Sequence, residues 1–215
     1  MKPRHLLLAL TLSLLAATAS RAQSRLSLYP EIGYGHTVTY ASASGADSRI
    51  QGRATYQADG FHAGAAAEFR LSEPDSPAIV SIRSGLLAVH DTMKDSNAGN
   101  DATTRTVRLS VPLHLKISAR IGKAAPFIAF GPSFNYGIYG RTNVKDASGN
   151  AKNESYFGDG NRRYDCSLTG EAGVELPFGL VLKAGYRHGL TDILEFTGVT
   201  MRRSTAYAAI AFKVL

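Results

Sequence analysis

The 215-residue chain has one cysteine and no tryptophan. A lone thiol excludes an intramolecular disulfide framework and every metal site built from several cysteines. Charge is sparse as well: 19% of residues are charged, against 44% hydrophobic. Disordered chains carry more charge and fewer apolar residues, so disorder is excluded. Long apolar runs are also missing. The one continuous stretch, residues 6–17, is about a dozen residues, short of the ~20 that a membrane-spanning helix needs. A polytopic helical membrane protein is therefore ruled out. What the chain does have is 21 Gly, 10 Tyr and 9 Phe. With no long helix-forming run beside them, they point to an all-β protein.

The short apolar run has a reading of its own. It follows Lys2, Arg4 and His5 and leads into Ser20, Arg21 and Ala22. A basic start, a short apolar centre and small residues at −3 and −1 describe a secretory signal peptide over residues 1–22, cleaved between Ala22 and Gln23. The alternative, an uncleaved anchor helix, is disfavoured by the length of the run. Processing removes Lys2, Arg4 and Arg21, leaving 21 basic against 17 acidic residues and lowering the net charge from +7 to +4. No basic cluster interleaved with aromatics remains, so nucleic acid is not an expected partner.

Past Gln23 the apolar residues recur at every second position. Val107, Leu109, Val111, Leu113, Leu115 and Ile117 share one face of a strand; Arg108, Ser110, Pro112, His114, Lys116 and Ser118 share the other. Phe61, Ala63, Ala65, Ala67, Phe69 and Leu71 alternate with His62, Gly64, Ala66, Glu68 and Arg70. Residues 128–138, 165–176, 180–187 and 206–214 repeat the pattern, and residues 26–40 and 78–91 follow it less cleanly. That makes eight strands, many of them ten or more residues long, the length of a tilted bilayer crossing.

Connections of two lengths alternate along the chain. Short ones cover residues 73–77, 121–123 and 177–179; long polar ones cover about 42–60, 92–103, 141–163 and 191–201. Short turns at one end and long loops at the other are expected of an outer-membrane barrel with both termini on the short-turn side. A spanning sheet must also close, because lipid offers no water to an open edge. The predicted fold is an all-β, eight-stranded antiparallel up-and-down transmembrane barrel over residues 23–215. The alternative is a soluble periplasmic, lipocalin-like barrel with its apolar faces turned inward around a ligand.

Several of these strands carry a resemblance. Residues 107–116, with the Pro112-Leu113 pair followed by Lys116, resemble a strand of the PorT-like small outer-membrane β-barrel family. Residues 126–132 are similar to its next strand. Residues 170–175 and 182–193, including Tyr186-Arg187 and Gly189-Leu190-Thr191-Asp192-Ile193, resemble its penultimate hairpin. The resemblance implies an outer-membrane location and an accessory role in protein secretion or envelope assembly. Such barrels end on an aromatic residue read by the assembly machinery, whereas here Phe212 stands three places before the end.

With the apolar faces outward, mid-strand charges converge inside. Glu31, Glu68, Glu171 and Glu175 meet Arg70, Arg108, Lys116, Lys183 and Arg187. An eight-stranded barrel is only wide enough for its own side chains, so opposite charges there should pair and plug it. A narrow ion path is the competing reading. Gly64, Gly131, Gly137, Gly173 and Gly185 fall mostly on the same inner face, and Cys166 falls on the outer one.

Catalysis would need a nucleophile beside a histidine base oriented by a third group. His36, His90 and His188 lie near strand ends, but no serine elbow joins them in sequence. The oxygen-rich segments 146–150 and 159–161 lack the bidentate glutamate of a calcium loop and read as turns. No catalytic residue, cofactor or metal is expected. The function expected is that of a non-enzymatic, monomeric outer-membrane barrel contacting lipid. The assembly machinery inserts it, and its loops present themselves to an extracellular or envelope partner. The longest loop, 141–163, carries Tyr156, Phe157, Arg162 and Arg163, with Tyr164 just beyond, a mix enriched at recognition surfaces. A lipid-modifying outer-membrane enzyme is the further alternative.

Overall fold

The computed structural model of the protein describes residues 25–43, 52–73, 76–97, 100–145, 151–157, 160–195 and 198–214. The expected signal segment 1–22, with the Ala22–Gln23 junction, lies outside them. Among the described residues there are nine strands: β1 (Leu26–Ala43), β2 (Gly52–Arg70), β3 (Ala78–Asn97), β4 (Asn100–Ala119), β5 (Ala125–Lys145), β6 (Ala151–Ser155), β7 (Tyr164–Glu175), β8 (Leu180–Gly189) and β9 (Val199–Phe212).

Eight of these form a ring in which each strand pairs antiparallel with its neighbours in sequence. The ring closes between β1 and β9, from Glu31↔Ala211 to Ala43↔Val199. Strand β6 stands outside it and pairs only with the far end of β5, from Arg141↔Ser155 to Lys145↔Ala151. The expected eight-stranded up-and-down barrel is therefore what forms.

Alternation decides which way each side chain points. Ile32, Phe61, Leu86, Leu113, Phe130, Leu168, Leu182 and Ile210 lie exposed on the outer wall. Between them along the same strands, Glu31, His62, Arg83, His114, Thr169, Glu171, Lys183 and Ala211 are buried in the lumen. Apolar residues face out and polar residues face in, the inverse of a soluble barrel, which rules out the lipocalin-like alternative. The outer wall is edged by aromatic rings. Tyr34, Tyr136, Tyr139, Tyr164 and Tyr186 are exposed towards the loop end, and Phe69, Phe178 and Phe212 towards the short-turn end. Girdles of this kind flank the apolar band of membrane barrels.

The short turns at 121–123 and 177–179 form where expected. In the β7–β8 turn Gly179 adopts φ +87°, a left-handed geometry that glycine takes without strain. The long loops are a correction. Residues 92–97 and 100–103 are not loop; they continue β3 and β4 as a paired ladder to Asn97↔Asn100. Residues 52–60 belong to β2, and 141–145 pair with 151–155. Beyond the lipid both faces of a strand meet water, so polar residues fill both and alternation disappears, while the backbone goes on pairing. Strands of 18–21 residues, as in β1–β5, exceed a tilted crossing of ~10. The surplus projects at the loop end.

Candidate functional site

The lumen holds its charges in three tiers. Nearest the short turns, Lys116 Nζ donates to Glu68 at 2.8 Å and lies 3.6 Å from Glu175, which Lys213 approaches at 3.6 Å. Ser81 donates to the other oxygen of Glu68 at 2.8 Å. The Lys116 ammonium also sits 4.6 Å from the centre of the Phe127 ring, within cation–π range.

The middle tier is a crossed quartet. Arg83 reaches Glu31 at 2.6 Å and Glu171 at 3.4 Å; Lys183 reaches Glu31 at 3.0 Å and Glu171 at 3.1 Å. Two anions thus share two cations, and both carboxylates are 1% exposed. His62 and His114 flank the quartet at 3.4 and 3.7 Å, and Tyr207 donates to Glu171 at 2.8 Å.

Towards the loops, Arg108 pairs with Asp91 and lies 3.7 Å from Asp165. Asp165 also takes a 2.6 Å hydrogen bond from Asn135 and an ion pair from Arg203 at 3.6 Å. Arg187 packs its guanidinium 5.4 Å from the Tyr207 ring centre, linking this tier to the one below. Buried charges are costly unless paired and hydrogen-bonded, and most of these meet that condition by mutual neutralisation; among the described residues Arg187 is held by the Tyr207 ring alone.

Eight of the nine lumenal charges read from the sequence take part in these contacts. Arg70 does not. It is half-buried at the short-turn mouth, lining a cavity of about 170 Å³, where water can solvate it. Sequence reasoning missed Arg83 and Asp91, both on β3. Ile79, Leu87 and Val89 also face inward there, so the apolar–polar contrast blurs. The phase set by Ile82, Leu86 and Ala88 on the outer wall would have placed both charges inside. Asp165, His62, His114 and Tyr207 are further partners that the sequence network left out.

A second correction concerns the longest loop. Phe157 is buried, and its ring occupies the space where side chains at Gly137 and Gly140 would stand. Arg163 lies over that ring at 5.1 Å and donates to the Gly137 carbonyl at 3.0 Å. Tyr156 roofs a cavity of about 30 Å³ beside Asp91 and Arg203. Phe157 therefore caps the loop-side mouth, with Tyr156 half-buried and Arg163 exposed above it. Tyr164 opens β7 on the outer wall. Arg162 stands at the surface, 3.5 Å from Glu195. In the exposed β5–β6 hairpin, Glu154 holds Lys152 at 2.6 Å and raises its pKa above the ordinary lysine value.

The histidines of the catalytic alternative lie on the loop-side rim. His36 Nδ1 is 2.8 Å from Asp59, which also accepts from Tyr34 at 2.7 Å. His188 Nδ1 is 3.3 Å from Ser204 Oγ, and His90 stacks on Phe61 at 5.1 Å. The carboxylate and the hydroxyl thus serve different histidines. Among the described residues no group of three or more His, Cys, Asp or Glu could hold a metal ion. Residues 146–150 and 159 of the oxygen-rich segments fall outside the description.

A family model described as outer membrane protein beta-barrel domain matches residues 21–195. No curated protein matches the chain. Among solved structures, the chain is similar to Neisserial surface protein A at 15% identity and a TM-score of 0.39, covering 86% of this chain and 96% of that one. It is similar to Ail, the attachment invasion locus protein of Yersinia pestis, at 11% identity and 0.36, covering 87% and 98%. The outer membrane enzyme PagL is similar at 8% identity and 0.36, covering 81% and 97%.

Proposed function

The chain belongs to the outer membrane protein beta-barrel domain family and resides in the outer membrane, and from that premise we propose that it is a non-enzymatic, plugged barrel working through its loop-side end. The observation that carries this reading is the middle tier. Arg83 and Lys183 each bridge Glu31 and Glu171 across a lumen that side chains alone fill. Ion flow would have to part buried pairs, a costly step. Presentation is what remains. The β3–β4 and β5–β6 hairpins carry polar residues past the lipid to an extracellular or envelope partner. The PorT-like resemblance of residues 107–116 and 182–193 supports an accessory role in secretion or envelope assembly. Export with cleavage between Ala22 and Gln23, insertion by the barrel assembly machinery and a monomeric state complete the proposal.

The test replaces residues 143–153 by a two-residue Asn-Gly turn. The shortened barrel is expected to reach the outer membrane with unchanged heat-dependent gel migration. It should fail to restore the envelope phenotype that the intact gene restores in a deletion strain. Full restoration would contradict presentation by the β5–β6 arm. In planar bilayers the intact barrel should give no stepwise conductance.

One observation favours a second reading, a lipid-modifying enzyme. The Asp59–His36 pair faces the lipid rim, and Ser204 lies on β9, the strand beside His36. That reading requires Ser204 to leave His188 and give its proton to His36 as it attacks an acyl ester, the alcohol then departing with that proton. It predicts a changed lipid A acyl pattern in a deletion strain, abolished equally by His36→Ala and Ser204→Ala.

A further inference from the structure

Across the β4–β5 ladder Arg105 stands directly opposite Arg141, both exposed on the outer wall. Like charges in direct opposition destabilise a sheet unless something neutralises them. Neither guanidinium has an ion pair or side-chain hydrogen bond among the described residues. Two pairs closer to the apolar belt, Val107 meets Tyr139 at a β-bulge, which turns Ile138 and Tyr139 outward together. The arginines therefore sit just above the aromatic edge of the belt, at the depth of lipid headgroups.

A groove of about 410 Å³ opens here. Arg105, Arg141 and Lys145 line it beside Tyr139, Asn143 and Asn153, with no acidic residue in its wall. Asn143 donates to Asn153 at 3.0 Å, setting amide groups next to the guanidinium pair. Guanidinium groups match phosphate through bidentate hydrogen bonds, and side-chain amides suit sugar hydroxyls. A comparable groove of about 420 Å³ lies between Arg53 and Arg202 around Tyr40, but Asp192 already pairs with Arg202 at 3.2 Å. The pair of directly opposed, unpaired guanidinium groups is at β4–β5.

We infer that the outward face of β4 and β5 binds the phosphorylated headgroup of an outer-leaflet glycolipid. Arg105 and Arg141 clamp one phosphate, and the acyl chains run down over Tyr139, Val107 and Leu109. A glycolipid is favoured over a free phosphate because the groove runs directly into the lipid-facing wall. The inference rests on residence in the outer membrane and is independent of what the hairpins contact.

The probe is bisphosphorylated lipid A, added to the full barrel in detergent micelles and followed by native mass spectrometry. One lipid A per barrel is expected. Binding should weaken about tenfold for Arg105→Gln or Arg141→Gln, and further for the double change to Glu. Lys123→Glu, in the short turn at the opposite end, should leave binding unaltered. Phosphate-free lipid A should bind at least tenfold more weakly than the phosphorylated form to the unmutated protein, and inorganic phosphate should not displace bound lipid at matching concentration. Heat-dependent gel migration reports folding of each variant. If the Glu variant misfolds, the Gln variants and the phosphate-free lipid decide the matter. Unchanged binding by the folded Gln variants, equal binding of phosphate-free lipid A, or displacement by inorganic phosphate alone would each overturn the assignment.

Discussion

The belt of the barrel and its loop-side extension share one paired backbone but obey opposite rules for side chains. In the belt, Leu113 is exposed outward while its neighbours His114 and Pro112 are buried. In the extension, Thr103, Lys94 and Asn143 line outer surfaces as polar as the residues between them. The difference lies in what surrounds each face. Lipid on one side and a charged lumen on the other sort residues by polarity; water on both sides does not. Charge follows the same division. In the belt it is buried and largely paired, as in the Arg83–Lys183–Glu31–Glu171 quartet, whereas in the extension it is solvated and partly unpaired, as at Arg105 and Arg141.

The strongest way to break this comparison is to remove one member of the quartet. Arg83→Ala strips Glu31 and Glu171 of a shared cation and should destabilise the barrel by about 3–5 kcal/mol. Urea unfolding in lipid vesicles would measure it, and a loss under 1 kcal/mol would mean that the quartet is not tightly coupled. Next comes the outer wall. Leu113→Arg places a charge in mid-belt and should cost about 2–4 kcal/mol. The same change at Gln57, exposed on the extension of β2, should stay within about 0.5 kcal/mol. Similar costs at the two positions would abolish the distinction between belt and extension.

A smaller effect sharpens the boundary between the two. A Cβ at Gly137 would fall 2.2 Å from the Phe157 ring. Gly137→Ala should push that ring out and cost about 1–3 kcal/mol, with faster proteolysis near residue 157. Smallest of all, Lys152→Ala in the solvated β5–β6 hairpin should leave the unfolding midpoint unmoved, because an exposed ion pair contributes little.

The same division explains how much could be read from the sequence. Alternation is legible where two solvents differ, so the eight ring strands and eight of the nine named lumenal charges could be inferred from residues such as Glu68, Lys116 and Lys183. It fades in β3, where Ile79, Leu87 and Val89 turn inward, and Arg83 and Asp91 went unseen. It vanishes in the extension, where ladder and loop have the same polar composition, and residues 92–97 and 100–103 read as loop although they pair. The burial of Phe157 could not be inferred at all. It depends on Gly137 and Gly140 leaving room for a ring some twenty residues further along the chain, a contact with no local pattern.

The absence of native tryptophan makes one measurement especially direct. Single tryptophans at Leu113 and at Lys94 would be placed in vesicles of brominated phospholipid. The account predicts strong quenching at 113, inside the belt, and little at 94, on the β3 extension. Equal quenching at both positions, or none at 113, would contradict it.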